Sequence, residues 1–165
     1  MTDVDRRTLG LSAVTAAAGA SAAQAATGGA CAPAMTQAHF QRYIDAFNRA
    51  DEATYGEYYH PDVVLVLGGK RELKGKQTIF DFYKVVRAGT KREIKVLKFI
   101  CTADAMAVEL ESEFLALVDD PQYVEGLKKG DRRYQNTVVF YQLKDGKFFN
   151  IRSAAFKSQI TRAKA

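Results

Sequence analysis

The order of apolar and polar positions divides the chain into an early helical part and a late extended part. Between Thr36 and Ala50, Phe40, Tyr43, Ile44 and Phe47 recur at i, i+3, i+4 and i+7, which places them on one face of a helix. Thr36 is a suitable N-cap for it. Asp51 can cap a second, short helix to Tyr59, with Tyr55, Tyr58 and Tyr59 on one side, and Pro61 stops it. Val63–Leu67 is an unbroken aliphatic run and predicts a buried strand. A polar turn from Gly68-Gly69 to Gly75 leads into a third helix, Lys76–Arg87, with Ile79, Phe82, Tyr83 and Val86 facing inward. Four long extended segments follow: Arg92–Ile100, Ala105–Val118, Arg132–Leu143 and Lys147–Phe156. Lys144-Asp145-Gly146 is a tight hairpin signal between the last two. Asp119–Asp131, containing Pro121, Gly126 and Gly130, reads as a long loop able to overhang a cavity. Helices set to one side of a largely antiparallel sheet define an α+β domain.

Residues 1–25 do not fit that domain. Arg6 and Arg7 form a twin-arginine pair, a weakly apolar segment runs from Leu9 to about Ala20, and Ala23-Gln24-Ala25 is an A-x-A cleavage site. Asp5 stands where such signals usually carry Ser or Thr. Cleavage after Ala25 would remove 25 of 165 residues and leave 140, with a periplasmic or secreted destination. Residues 26–35 then form a flexible tether, 36–157 the folded domain and 158–165 a C-terminal tail. In an oxidising compartment Cys31 and Cys101 could pair or remain two free thiols.

Composition narrows the chemistry. Hydrophobic residues make up 47% and charged residues 26%, which suits one globular domain. No apolar run reaches the ~20 residues of a membrane-spanning helix, so no membrane insertion is expected after signal cleavage. Two cysteines and two histidines exclude a thiolate-rich zinc site and a three-histidine metal site. No phosphate-binding loop is present, so neither a metal nor another cofactor is expected. The net charge of +5 is spread over three groups, around Lys70–Lys76, Lys91–Lys98 and Lys128–Arg133, without a recognisable nucleic-acid module. No nucleic-acid partner is therefore expected.

The element order, with Arg42-Tyr43-Ile44-Asp45-Ala46-Phe47, Tyr59-His60-Pro61-Asp62-Val63, Lys74-Gly75-Lys76-Gln77-Thr78-Ile79 and Lys144-Asp145-Gly146-Lys147, resembles the NTF2-like (SnoaL-like) superfamily over about residues 36–157. The resemblance implies a cone-shaped, curved mixed or antiparallel sheet wrapped around three N-terminal helices and enclosing an apolar pocket. It specifies function poorly, because the superfamily spans isomerases, dehydratases, epoxide hydrolases, polyketide cyclases, lyases of lignin-derived aromatic dimers and non-catalytic modules. Against its ketosteroid isomerase branch, Tyr43 matches the oxyanion-stabilising tyrosine, and Tyr59 and Tyr83 match its supporting tyrosines. Leu67 falls where that branch has its base, and Val138 where it has a protonated aspartate. Lacking both carboxylates, this chain cannot run a steroid isomerase proton shuttle.

With Val138 taken as inward, alternation turns Tyr134, Asn136, Phe140 and Gln142 inward too, and on the last strand Phe149, Ile151, Ser153 and Ala155. Phe47, Leu67, Tyr134, Val138, Phe140, Phe149, Ile151 and Ser153 are thus expected to bind substrate, and Asn136 to orient it. Glu109, Glu111 and Glu113 alternate on one face and are expected to meet water, since three unpaired buried carboxylates would be prohibitive. His39 and Asp45, flanking Tyr43, and Glu111 are the candidate bases; His60 reads as a surface residue or cap. Outward Leu115, Leu117, Val139 and Tyr141 would suit a homodimer. These residues suggest a cofactor-independent lyase or isomerase, dehydratase- or cyclase-like, acting on a small apolar aromatic or phenolic substrate such as a lignin-derived dimer. The alternative is an exported, non-catalytic module that binds an apolar ligand or mediates assembly.

Overall fold

The computed structural model describes residues 35–164. The expected export signal over 1–25, nearly all of the expected tether and Cys31 lie outside the described residues. The chain runs α1 (Gln37–Asn48), α2 (Glu52–Gly56), β1 (Tyr59–Leu67), β2 (Arg71–Lys74), α3 (Lys76–Gly89), β3 (Thr90–Cys101), β4 (Ala105–Ala116), β5 (Arg132–Lys144) and β6 (Lys147–Thr161). The strands form one curved, unclosed sheet in the order β2-β1-β6-β5-β4-β3. Neighbours are antiparallel except β1 and β6, which run parallel. The architecture is α+β, as the helix-then-strand order predicts.

Local chemistry sets the helix starts. The Thr36 hydroxyl accepts from His39 N at 3.1 Å, and Asp51 accepts from Thr54 N at 3.1 Å, so each side chain satisfies an otherwise orphaned amide. The α1 face Phe40, Tyr43, Ile44 and Phe47 is buried against the concave side of the sheet. Where α1 ends, the Asn48 amide donates to Ile94 O and accepts from Ile94 N, both at 2.9 Å. It thereby closes part of the free edge of β3, which would otherwise offer bare backbone to another chain.

Several boundaries depart from those expected from the sequence. Tyr59 opens β1 instead of closing α2. The expected polar turn after Gly69 contains the short edge strand β2, which buries only Leu73 and so leaves a faint apolar signature. The last strand continues to Thr161, past the expected domain end at 157, because Asp131 holds the segment beyond it. The buried Asp131 carboxylate accepts from Ala163 N at 2.8 Å, Arg162 Nη1 at 2.6 Å and Lys128 N at 2.9 Å. Those donors favour the charged form and lower its pKa to about 2. Met35, assigned to the tether, is buried in the core.

Residues 117–131 form a packed loop. Val124 and Leu127 join Val86, Phe114 and Ala116 in a satellite cluster. Arg71 lies 4.0 Å over the Tyr123 ring. Tyr123 itself has φ 69, a left-handed conformation rare for a bulky residue. Cys101 is disulfide-bonded. No helix among the described residues is long and apolar enough to cross a membrane.

Candidate functional site

The curved sheet, α1 and α3 enclose a cavity of about 270 Å³, open to solvent on one side. Tyr43 from α1 and Tyr59 from β1 meet there, their hydroxyls 3.0 Å apart. Tyr83 from α3 lines the same space, its ring edge-on to Phe47 at 4.7 Å between centroids. Phe47, Leu67, Ile151 and Ser153 also line it. The loop contributes Tyr123 and Val124, so it overhangs the cavity as its length suggests.

Burial raises the pKa of Tyr43, Tyr59 and Tyr141, because an anionic phenolate would lose its hydration. Arg92 acts in the opposite direction on Tyr43 and Tyr141, but burial dominates. These phenols therefore stay neutral at ordinary pH and serve as hydrogen-bond donors, not bases. Either hydroxyl can donate to the other; in the arrangement where Tyr59 donates, the Tyr43 hydrogen is left for an oxygen in the cavity.

Strand β5 corrects the inward set. Tyr134, Asn136, Val138 and Phe140 point away from the cavity, and Phe140 is 52% exposed. The residues that do line it are Arg133, Gln135, Thr137, Val139 and Tyr141. Anchoring the strand on Val138 shifted the reading by one residue, and a one-residue shift exchanges the two faces of a strand. Both sets contain enough apolar residues to pass as inward, so composition alone did not decide. The neighbouring strand does: Glu109, Glu111 and Glu113 sit on the face away from the core, and they pair with Val138, Asn136 and Tyr134. Val139 and Tyr141 are therefore buried and unavailable to an outer dimer face.

Phe149 is displaced by a register irregularity where Gln142 pairs with Asn150 but Leu143 with Phe148. Phe148 takes the core position, and the Phe149 ring lies edge-on to His60 at 5.3 Å. Neither flanking base candidate on α1 reaches the cavity. His39 packs beside Tyr58 at 4.9 Å between ring centroids, and exposed Asp45 accepts from Gln41 Nε2 at 2.9 Å. Glu111 is on the far side of the sheet. His60, expected on the surface, is 8% exposed, with its Nδ1 accepting from Asp62 N at 3.1 Å.

The lining of the described residues contains no carboxylate and no imidazole. It contains two guanidiniums, Arg92 and Arg133, that the sequence reading left among the solvated basic groups. Arg92 lies 4.8 Å over the Phe114 ring and donates from Nη2 to Ser112 Oγ at 2.9 Å. The signal available in the sequence was their placement either side of Phe114, which becomes visible only once the strand registers are known.

A curved, unclosed sheet wrapped over a small aromatic cavity, with tyrosine hydroxyls and two arginines lining it, defines a pocket protein of the NTF2-like class. The SnoaL-like domain family matches residues 40–151, more than half of the chain, and the chain belongs to that family. Among solved structures, a SnoaL-like protein from Jannaschia sp. CCS1, assigned as a polyketide cyclase, is similar with TM-score 0.61 and 17% identity, covering 70% of this chain and 81% of that one. An LEH-like epoxide hydrolase from M. tuberculosis gives TM-score 0.56 and 14% identity over 71% of this chain and 79% of that one. A computationally designed 17-OHP binder gives TM-score 0.59 and 15% identity over 75% and 94%. These similarities concern the fold. No curated protein matches the sequence.

Proposed function

We propose that this protein is a cofactor-independent lyase or isomerase, dehydratase- or cyclase-like, that works on a single-ring aromatic or phenolic substrate. The observation that carries the reading is the Tyr43–Tyr59 hydroxyl pair inside an apolar aromatic cavity. A neutral phenol held there stabilises an oxygen that gains negative charge during reaction, and in a dry site such a donor is worth several kcal/mol. Tyr59 polarises Tyr43 and strengthens that donation. No side chain in the lining can act as a carboxylate or imidazole base, so the electron push comes from the substrate, for example through an ionised phenol and a quinone-methide-like state. At about 270 Å³ the cavity lies near the lower limit for ligand sites, which favours one ring over an aromatic dimer.

The same lack of a base favours a second reading, a non-catalytic module that binds an apolar ligand. Mass-spectrometric product analysis against phenolic alcohols, enones and epoxides separates the two. A product formed by the wild type and lost in Tyr43→Phe supports catalysis. Binding without turnover across the panel supports the module. Export to the periplasm or medium and a homodimer remain part of this proposal. Cell fractionation tests the first, and light scattering that gives a monomer mass would remove the second.

A further inference from the structure

Inward positions of the sheet form rows across neighbouring strands. In one row Arg92 pairs with Phe114 on β4, and Phe114 pairs with Arg133 on β5. The two arginines thus flank one aromatic ring on the cavity side, with backbones about 10 Å apart at the usual strand spacing. The next row inward holds Ile94, Ser112 and Gln135, and Ser112 accepts from Arg92. Arg133 donates from Nη2 to the Glu125 carbonyl in the overhanging loop.

Neither guanidinium has a carboxylate partner among the described residues. Glu93 and Glu113, the acids next to this row on β3 and β4, lie on the outer face, where Glu113 pairs with Arg132, and Asp131 pairs with Arg162. The Nε–H groups of Arg92 and Arg133 are both buried without a hydrogen-bond partner. Gathering two positive charges in one partly buried place, with no carboxylate partner and incomplete hydrogen bonding among the described residues, costs free energy unless something negative completes it. Guanidinium is also the side chain best shaped for planar, two-point recognition of a carboxylate.

We propose that the Arg92–Arg133 end of the cavity binds the carboxylate of a single-ring aromatic acid, with the rest of the molecule directed toward Tyr43 and Tyr59. The inference rests on the cavity being the working site, and it gives that site's substrate a charge. Thr137 and Val139 line β5 between the arginine end and Tyr141. An acid anchored at one end therefore lies along an increasingly apolar wall and meets the phenols at the other.

Calorimetric titration of the full chain at neutral pH tests this with matched acid and amide probes: benzoate and benzamide, 3-phenylpropionate and 3-phenylpropionamide, 4-hydroxycinnamate and its amide. At least one acid is expected to bind about tenfold or more tightly than its amide, the scale of a charge-assisted contact. Arg92→Met and Arg133→Met should each remove most of that preference and leave amide affinity nearly unchanged. Arg133→Lys should restore part of it. Because acid and amide are compared within each variant, a variant that merely distorts the cavity weakens both alike. Equal binding of acid and amide by the wild type, or equal losses for both in the arginine variants, overturns the inference while the cavity reading stands. No saturable binding of any pair overturns both. An acid preference that depends on the arginines, in a protein that turns nothing over, supports the inference and removes catalysis.

Discussion

Removing the hydroxyl of Tyr43 tests the centre of the site in two independent ways. Tyr43 is 5% exposed, Tyr59 is 1% exposed, and one hydrogen bond of 3.0 Å joins them. A neutral hydrogen bond contributes about 0.5–1.5 kcal/mol, but stranding a buried partner costs about 1–3 kcal/mol. Tyr43→Phe and Tyr59→Phe should each lower unfolding free energy by about 1–2 kcal/mol, since each leaves the other hydroxyl without its partner. The double variant strands nothing and should cost less than the two losses combined, by about 1 kcal/mol or more. Urea denaturation at neutral pH reads all four proteins, and an unchanged m-value shows that the unfolding reaction is the same. Additivity within about 0.3 kcal/mol would refute the coupling, because non-interacting sites behave that way. Turnover should then separate the roles. Tyr43→Phe removes the donor and should cost on the order of 100-fold. Tyr59→Phe leaves the donor and only weakens it, so its loss should be the smaller one. Equal losses would place the working hydroxyl elsewhere.

Three further outcomes follow from the packing. Burial raises the pKa of Tyr43, Tyr59 and Tyr141, so above pH ~10 the unfolded chain releases protons that the fold retains. Stability should be complete below pH ~10 and fall as pH rises, with tyrosinate absorbance appearing together with loss of circular dichroism; early, non-cooperative ionisation would contradict it. Asp131, with its pKa lowered to about 2, contributes stability above the ordinary carboxylate range that is lost as pH falls toward 2. Asp131→Asn should fray residues 161–164 already at neutral pH, as hydrogen exchange would show. In Gly89→Ala the new Cβ would sit 2.7 Å from Pro121 Cβ. That overlap costs about 1–3 kcal/mol and outweighs the gain of up to ~1 kcal/mol in helix propensity, so melting temperature should fall and ligand affinity with it, as the loop bearing Tyr123 is displaced.

What the sequence disclosed depended on period and not on polarity. The α1 and α3 faces repeat every three to four residues, and Phe40, Tyr43, Ile44, Phe47, Ile79 and Tyr83 are all buried where that period places them. The tyrosine pair became visible through the family's motif positions. Strand β5 was not legible in the same way: Thr137-Val138-Val139-Phe140-Tyr141 is apolar on both faces, so no alternation marks the inside. A single matched position then carried the whole strand, and with it Asn136. The arginines were missed for the converse reason. A charged residue on a strand ordinarily faces water, and only the register across β3, β4 and β5 brings Arg92 and Arg133 to one end of the cavity.

The parallel pairing of β1 with β6 also constrains how the protein comes into being. Leu65 pairs with Ile151, 86 positions later, and β6 sits between β1 and β5 in the sheet. Until that last strand emerges from the ribosome, β1 and β2 have no strand pairing with β3, β4 and β5, and only side-chain contacts such as Asn48 with Ile94 join the helices to β3. Assembly of the sheet therefore waits for β6, and closing so distant a contact is slow. During the wait two sheet edges and the aromatic faces of α1 and α3 stay uncovered, a state prone to association. A nascent chain of this protein should need protection until β6 is available, and stopping it at residue 146 should yield no stable half.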